Sequence, residues 1–302
     1  MRNTIPHLIP YQGSKRKLAE RILEEIRFPV NVFFEPFAGS AAITLAAVHE
    51  KIGKQYVIAD KLKPLAEIWR MVIEEPTSLA DQYEHFWQSQ MGNEKDYFNQ
   101  VRKSFNKNKG PAELLFLIAR CVKNSIRFNS NGEFNQGPDN RRLGMHPSKV
   151  RQEIFKINHF LKGKATVFGS DYREVLKNAS SNDLVYMDPP WQGTSNNRDP
   201  RYAFTLNLDD LIEEMARLNK EKIPFLLSFD GECGHRSYGK ELPAELQLKR
   251  VPLDAGRSSQ ATLLGRNEIT IESLYLSPAL LEKNSQVNKR RPKAIQPQLW
   301  AT

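Results

Sequence analysis

The chain is poor in cysteine, with only Cys121 and Cys233 in 302 residues. Two thiols so far apart fit neither a disulfide framework nor a zinc spacing, so a pair of reduced thiols and no metal are expected. It also lacks a long hydrophobic run. The longest, Ala112 to Val122, is interrupted by Glu113 and Arg120 and falls well short of the ~20 residues that a membrane span needs. The opening Met1-Arg2-Asn3-Thr4-Ile5-Pro6 has no apolar core of the kind a secretory signal carries. No membrane partner is therefore expected. Acidic charge is in deficit, with 35 Asp and Glu against 44 Lys and Arg, a net of +9. Such an excess favours a polyanionic partner, because neutralising phosphates releases condensed counterions. The basic residues are clustered at Arg102, Lys103, Lys107 and Lys109, at Arg141 and Arg142, and at Lys289, Arg290, Arg291 and Lys293.

What is present is an alternation of helix-like and strand-like segments. Leu18 to Ile26 has helical spacing, Val30 to Phe34 reads as a buried strand, and Ala41 to His49 suits a helix packed closely on a sheet. A second strand, Tyr56 to Ala59, and a helical pattern, Leu65 to Val72, follow. From about 76 to 161 the pattern changes, with more charge, Asn and aromatics, one apolar helix, and a turn signal at Asn131-Gly132. Alternation then returns with strands Thr166 to Phe168, Leu184 to Met187 and Phe225 to Phe229, and a helix Leu208 to Leu218. Leu246 to Val251 and Glu268 to Leu276 read as a closing antiparallel pair. The expected fold is α/β: a doubly wound, Rossmann-like sheet in residues 1–75 and 162–281, interrupted by a mainly helical module at 76–161. Residues 282–302, rich in Pro, Gln and Asn, read as a basic flexible tail.

Three places carry chemistry. The first strand runs into Glu35-Pro36-Phe37-Ala38-Gly39-Ser40, where small residues let a ligand approach the backbone at a helix N-terminus. With one well-placed glycine this is not the G-x-G-x-x-G phosphate fingerprint, and a tight structural turn is the alternative. Asp60 closes the next strand, about twenty residues on, where an acid can accept hydrogen bonds from ribose hydroxyls; a helix cap is the competing role. Asp188-Pro189-Pro190-Trp191 directly follows the apolar strand Leu184 to Met187. Two consecutive prolines fix the backbone and remove neighbouring N–H donors, so Asp188 and the Pro189 carbonyl become two rigid acceptors for an exocyclic amine. Trp191 adds a stacking platform, and base–aromatic stacking is worth ~1–3 kcal/mol.

These segments together resemble the Dam-like (alpha class) adenine-N6 DNA methyltransferases. Pro10-Tyr11-Gln12-Gly13-Ser14-Lys15 is similar to that family's N-terminal motif, Glu35 to Ser40 to its E-P-F-x-G turn, and Asp188 to Trp191 to its catalytic motif. Asn124-Ser125-Ile126-Arg127-Phe128-Asn129 with Gly132-Glu133-Phe134-Asn135 is similar to its target-recognition hairpin, and Arg257 to Leu276 also fits. The likeness covers most of residues 5–277 in the family's order. It implies transfer of a methyl group from S-adenosylmethionine to N6 of adenine in double-stranded DNA, after the base is flipped out of the helix. It implies cofactor binding by Tyr11, Lys15, Glu35, Phe37, Gly39, Asp60, Asp171 and Asp188, and catalysis by Asp188, Pro189, Pro190 and Trp191. Asp171 is equally readable as a turn residue, and Lys15 as a solvated surface lysine. DNA binding falls to Asn124, Arg127, Asn129, Arg141 and Arg142, with Arg127 and Asn129 suited to base edges and Arg141, Arg142 and Lys149 to phosphates. Two departures stand out: Trp191 replaces the commoner tyrosine, and the hairpin is one residue shorter, with Lys123 where an aromatic is usual. The polar loop Gln192 to Ala203 is a candidate lid, with Tyr202 or Phe204 as a second cover for the base. A bacterial or phage-type cytoplasmic enzyme is implied, acting alone or beside a restriction endonuclease of the same site. An RNA adenine methyltransferase and a non-catalytic DNA-binding protein of the same fold are the alternatives.

Overall fold

The computed structural model describes residues 5–11, 13–190, 206–233, 236–238, 242–257 and 269–290. Trp191, the lid loop 192–203, Tyr202 and Phe204 lie outside the described residues, as do Arg291 and Lys293. The strands are β1 (Val32–Glu35), β2 (Gln55–Ala59), β3 (Ala165–Phe168), β4 (Leu184–Met187), β5 (Phe225–Cys233), β6 (Arg236–Tyr238), β7 (Lys249–Arg257) and β8 (Ile269–Leu276). Among the described residues the sheet order is β3-β2-β1-β4-β5-β8-β7, with β6 paired to β5. β1 is parallel to β2 and β4, β3 to β2, and β5 to β4. β8 enters antiparallel between β5 and β7. The expected doubly wound sheet and its closing antiparallel pair are both present.

Alternation along the central strands builds two apolar layers. Phe33, Leu184, Tyr186, Leu226 and Leu274 face one cluster. Their neighbours Phe34, Val185, Met187, Leu227 and Tyr275 face the other. All four residues of β4 are buried, as expected of a parallel strand covered on both faces. Helix α1 (Ala19–Leu23) and helix α2 (Ala42–His49) join the first layer. α2 is apolar all round and buried from Ala42 to Ala47, so it fits between neighbours rather than at the surface.

Helix α3 (Lys63–Glu74) starts with Pro64 in its first turn and buries Leu65, Ile68, Trp69 and Val72, a stripe at helical spacing. The segment after it is helical, as expected: α4 (Pro76–Ser89), α5 (Glu94–Asn108), α6 (Pro111–Arg120) and α7 (Pro147–Leu161). α6 is buried from Leu114 to Arg120 with α3, α4 and α5 packed on it, while α7 packs on α4 and α3. Their core is continuous with α3 and with Leu8, Ile9, Ala38, Ala41 and Leu45. The short helix α8 (Tyr172–Leu176) and α9 (Leu208–Lys220) complete the second layer.

One expectation is corrected. The tail from Glu282 is helical as far as Arg290, in α10 (Pro278–Arg290). Its attachment is mixed: Asn284 donates to the Glu25 carbonyl at 2.8 Å and accepts from the Arg27 N–H at 2.9 Å, Ala279 and Leu280 are buried, and Leu281 and Val287 pack against the first layer. The apolar contacts are bunched at Ala279 to Leu281 and separated from Val287 by five polar residues, which leaves little periodicity to read. No helix of the described residues is long and apolar enough to cross a membrane.

Candidate active site

β1, β2 and β4 are adjacent, and the chain leaves β1 towards one side of the sheet and β4 towards the other. Ligands in open α/β sheets bind beyond the carboxyl ends of strands at such a switch point. Glu35 ends β1, Asp60 follows β2 and Asp188 follows β4, so topology brings three carboxylates to one edge.

The β1–α2 turn is built by its neighbours. Gly39 has φ +50°, and a Cβ there would meet the Tyr11 ring at 3.5 Å. The Gly39 carbonyl accepts from Trp69 Nε1 at 2.9 Å, and its N–H donates to Asp60 Oδ2 at 3.0 Å. Asp60 Oδ1 accepts from the Leu62 N–H at 2.9 Å. Asp60 therefore ties strand ends together and caps the approach to α3, and desolvation pushes its pKa up to about 6. Glu35 is 3% exposed. Its Oε2 accepts from the Thr44 N–H at 2.8 Å, so the α2 N-terminus is satisfied from within rather than left open. Burial pushes Glu35 up to about 7, against the hydrogen bonds from α2 and helped by the negative Asp188.

Lys15 is not a solvated lysine. It is 7% exposed, with Nζ 2.9 Å from Asp188 Oδ1 and 3.5 Å from Glu272 Oε2. Desolvation raises Asp188 to about 6; Lys15 opposes the shift and Glu272 adds to it. The segment carrying Tyr11 and Lys15 is fixed by a Ser14–Ser40 hydroxyl pair at 2.9 Å, by Arg16 to the Ile5 and Pro6 carbonyls, and by the His7 N–H donating to Glu153 Oε2 at 2.6 Å. Phe37 is partly exposed, its ring 4.9 Å from that of Tyr172. Asp171 caps α8 through the Arg173 N–H at 3.1 Å and pairs with Lys61 at 3.1 Å. Burial raises its pKa, but these hydrogen bonds outweigh it and hold Asp171 below the ordinary value. Both of its oxygens are thus engaged. Pro189 is buried and Pro190 partly exposed.

A family model described as D12 class N6 adenine-specific DNA methyltransferase matches residues 11–253. The chain belongs to that family. Among relatives, it is 28% identical over 229 residues to Modification methylase StsI of Streptococcus sanguinis, covering 72% of this chain and 34% of the relative. It is 26% identical over 206 residues to Type II methyltransferase M.MjaIII of Methanocaldococcus jannaschii (61% and 68%) and over 221 residues to a DNA adenine methylase of Vibrio cholerae (69% and 76%). The chain thus spans about a third of one of these relatives and about two thirds to three quarters of the others.

In this D12-family chain the hairpin lies in the helical segment, bridged at Cys121–Pro138 and Phe128–Phe134. Asn106 of α5 donates to the Phe134 carbonyl at 3.1 Å and accepts from its N–H at 2.8 Å, while Arg102 and Lys109 donate to the Gln136 and Gly132 carbonyls. The five expected DNA contacts all have partners within the protein. Asn129 Oδ1 accepts from the Asn131 and Glu133 N–H groups, closing the turn. Arg142 donates to Asn124 Oδ1 at 3.1 Å, to Asp139 Oδ2 at 3.0 Å and to the Cys121 carbonyl at 3.1 Å. Arg141 is 87% exposed, touching Asp139 through Nε, and Arg127 is half-buried. Among the described residues no cluster of three or more His, Cys, Asp or Glu could hold a metal. Sequence reading missed Glu272, Glu153 and Asn106. The available signal for Glu272 was the single charged residue inside the strand-like run Ile269 to Leu276.

Proposed function

We propose that this chain methylates N6 of adenine in duplex DNA with S-adenosylmethionine as donor. The observation that carries the reading is the set of three desolvated carboxylates, Glu35, Asp60 and Asp188, at adjacent strand ends, with Asp188 followed by Pro189-Pro190. Carboxylates held short of solvent favour a ligand that is itself positive and rich in hydroxyl donors. That donor set fits the cofactor. Asp60 would accept from the ribose, Glu35 would face the positive end, and Phe37 and Tyr11 would line the apolar walls. When bound, S-adenosylmethionine supplies an electrophilic methyl group on a positive sulfur.

Asp188 and the Pro189 carbonyl would each accept one hydrogen of the target amine. Held so, the nitrogen is drawn towards tetrahedral geometry with its lone pair free for attack. Orientation of this kind supplies much of the acceleration in such transfers. Trp191 would stack on the flipped base, and residues 192–203 would close over it. Lys15 holds Asp188 through Oδ1, leaving Oδ2 without a hydrogen-bond partner among the described residues. Residues 76–161 would serve as the recognition module. There Arg127 would read a base edge and Arg141 a phosphate, while Asn124, Asn129 and Arg142 would shape the hairpin. Asp171 would take the cofactor's adenine amine only by exchanging a present partner. The name of one relative, Modification methylase StsI, supports a modification enzyme; a cytoplasmic location and an endonuclease of the same site as partner belong to the proposal.

The test is methyl transfer from labelled S-adenosylmethionine to duplex DNA or single-stranded RNA, with nucleosides identified after digestion. Label in N6-methyladenine from DNA supports the reading. Label in RNA alone, or in neither despite cofactor binding, overturns it.

A further inference from the structure

Lys15 sits between two carboxylates, Asp188 at 2.9 Å and Glu272 at 3.5 Å, and the three side chains are 7%, 20% and 17% exposed. A lysine and one aspartate would form a neutral pair. The second carboxylate leaves the group with an excess negative charge, a costly arrangement away from bulk water. The Glu272 oxygen that meets Lys15, the buried Oε2, makes no hydrogen bond, so the ion pair is its one compensation among the described residues, and buried oxygens without a hydrogen bond in native proteins call for an explanation.

The fold has been bent to bring it there. Glu272 lies on β8, opposite Gly231 of β5 and Leu253 of β7. Immediately before Gly231 the β5–β8 register slips, with Asp230 at φ +56° and its Oδ2 accepting from the Tyr275 hydroxyl at 2.6 Å. Bulges of this kind re-aim side chains beside functional sites, and a positive φ at a non-glycine residue is strain that the surroundings must hold.

We infer that Glu272 is a positioning residue for the proposed methyl transfer: it shares the Lys15 ammonium with Asp188, so that Lys15 steadies Asp188 through Oδ1 without neutralising it and leaves Oδ2 to accept the target amine. The inference rests on the proposed function. Besides Lys15 and Glu272, the titratable groups among the described residues that bear on Asp188 are Glu35 from β1 and Tyr186 on its own strand. Removing the Glu272 charge takes one carboxylate from Lys15, which also donates to the Gly13 carbonyl at 3.4 Å, strengthens its hold on Asp188 and lowers the pH at which Asp188 ionises.

The test compares wild type, Glu272→Gln and Glu272→Asp in single-turnover methylation of duplex DNA across pH, with cofactor affinity, DNA affinity and thermal melting measured alongside. Glu272→Gln is expected to bind both ligands within about 2-fold of wild type, to lose about 10-fold in rate, and to show its acidic limb at lower pH; Glu272→Asp recovers part of the rate. An unchanged rate and pH profile would overturn the inference. So would a rate loss that follows weaker cofactor binding and lower melting temperature with the acidic limb unmoved, the behaviour of a strand residue that only supports the fold. An inactive wild type overturns the methylation reading and this inference with it, whereas an active wild type with an indifferent Glu272→Gln overturns this inference alone.

Discussion

At the residue scale the site is a balance between burial and charge. Glu35 is almost fully buried, and its pKa rises from 4.5 to about 7 because desolvation outweighs the hydrogen bonds from α2. A carboxyl with a raised folded-state pKa holds its proton more tightly folded than unfolded. Stability therefore falls as pH rises from about 4.5 to about 7, and the whole cost of the charge is carried above that window. Glu35→Gln keeps an acceptor for the Thr44 N–H and removes the charge. It is expected to stabilise the ligand-free protein by on the order of 3 kcal/mol at pH 8 and by nothing near pH 4, while weakening cofactor binding. Denaturant unfolding at the two pH values, with a cofactor titration, checks both parts; equal stability of the two proteins at pH 8 would refute it. Tight burial of an acid that destabilises the empty chain is the kind of cost that functional sites retain.

At the scale of elements, two attachments decide whether the site is assembled. The segment bearing Tyr11 and Lys15 hangs on α7 through Glu153, which accepts from the His7 N–H and pairs with Lys149 at 2.6 Å. Glu153→Ala is expected to weaken cofactor binding several-fold by loosening this segment, and isothermal titration reads the change. The hairpin hangs on α5 through Asn106. Asn106→Ala leaves the buried Phe134 backbone unsatisfied and should cost about 1–3 kcal/mol, with weaker DNA binding, both measurable by denaturant unfolding and fluorescence anisotropy.

Neither attachment was legible in the sequence, because a single Glu or Asn serving a backbone group tens of residues away has no local pattern. The strand ends were legible, since the apolar runs before Glu35, Asp60 and Asp188 stop where the sheet stops. Lys15 beside Arg16 and Lys17 could be read as surface or as site; only the fold, by burying it against Asp188, separates the two. Asn124, Asn129 and Arg142 carry side chains that suit DNA, and composition alone could not show that Asn129 already closes the hairpin turn and that Arg142 is bonded to Asn124.

For the whole molecule, the sheet order follows from apolar strands joined by helices, and the excess of positive charge is a property of the surface rather than of the fold. If Arg141 meets a phosphate, Arg141→Ala should lower the slope of log affinity against log salt by about 1 without changing sequence preference. Arg142→Ala releases Asn124, Asp139 and the Cys121 carbonyl together and should alter preference as well as affinity; binding across a salt series with several duplexes distinguishes them. The central claim is that the carboxyl edge of β1, β2 and β4 holds the cofactor while Asp188 receives the target amine. The most direct measurement is single-turnover methylation of duplex DNA by Asp188→Asn, with cofactor and DNA affinities measured on the same preparation. The account predicts both affinities within a few-fold of wild type and a rate lower by about 1,000-fold, the mark of an interaction made chiefly in the transition state. A variant that binds both ligands and still transfers methyl groups at close to the wild-type rate would contradict it.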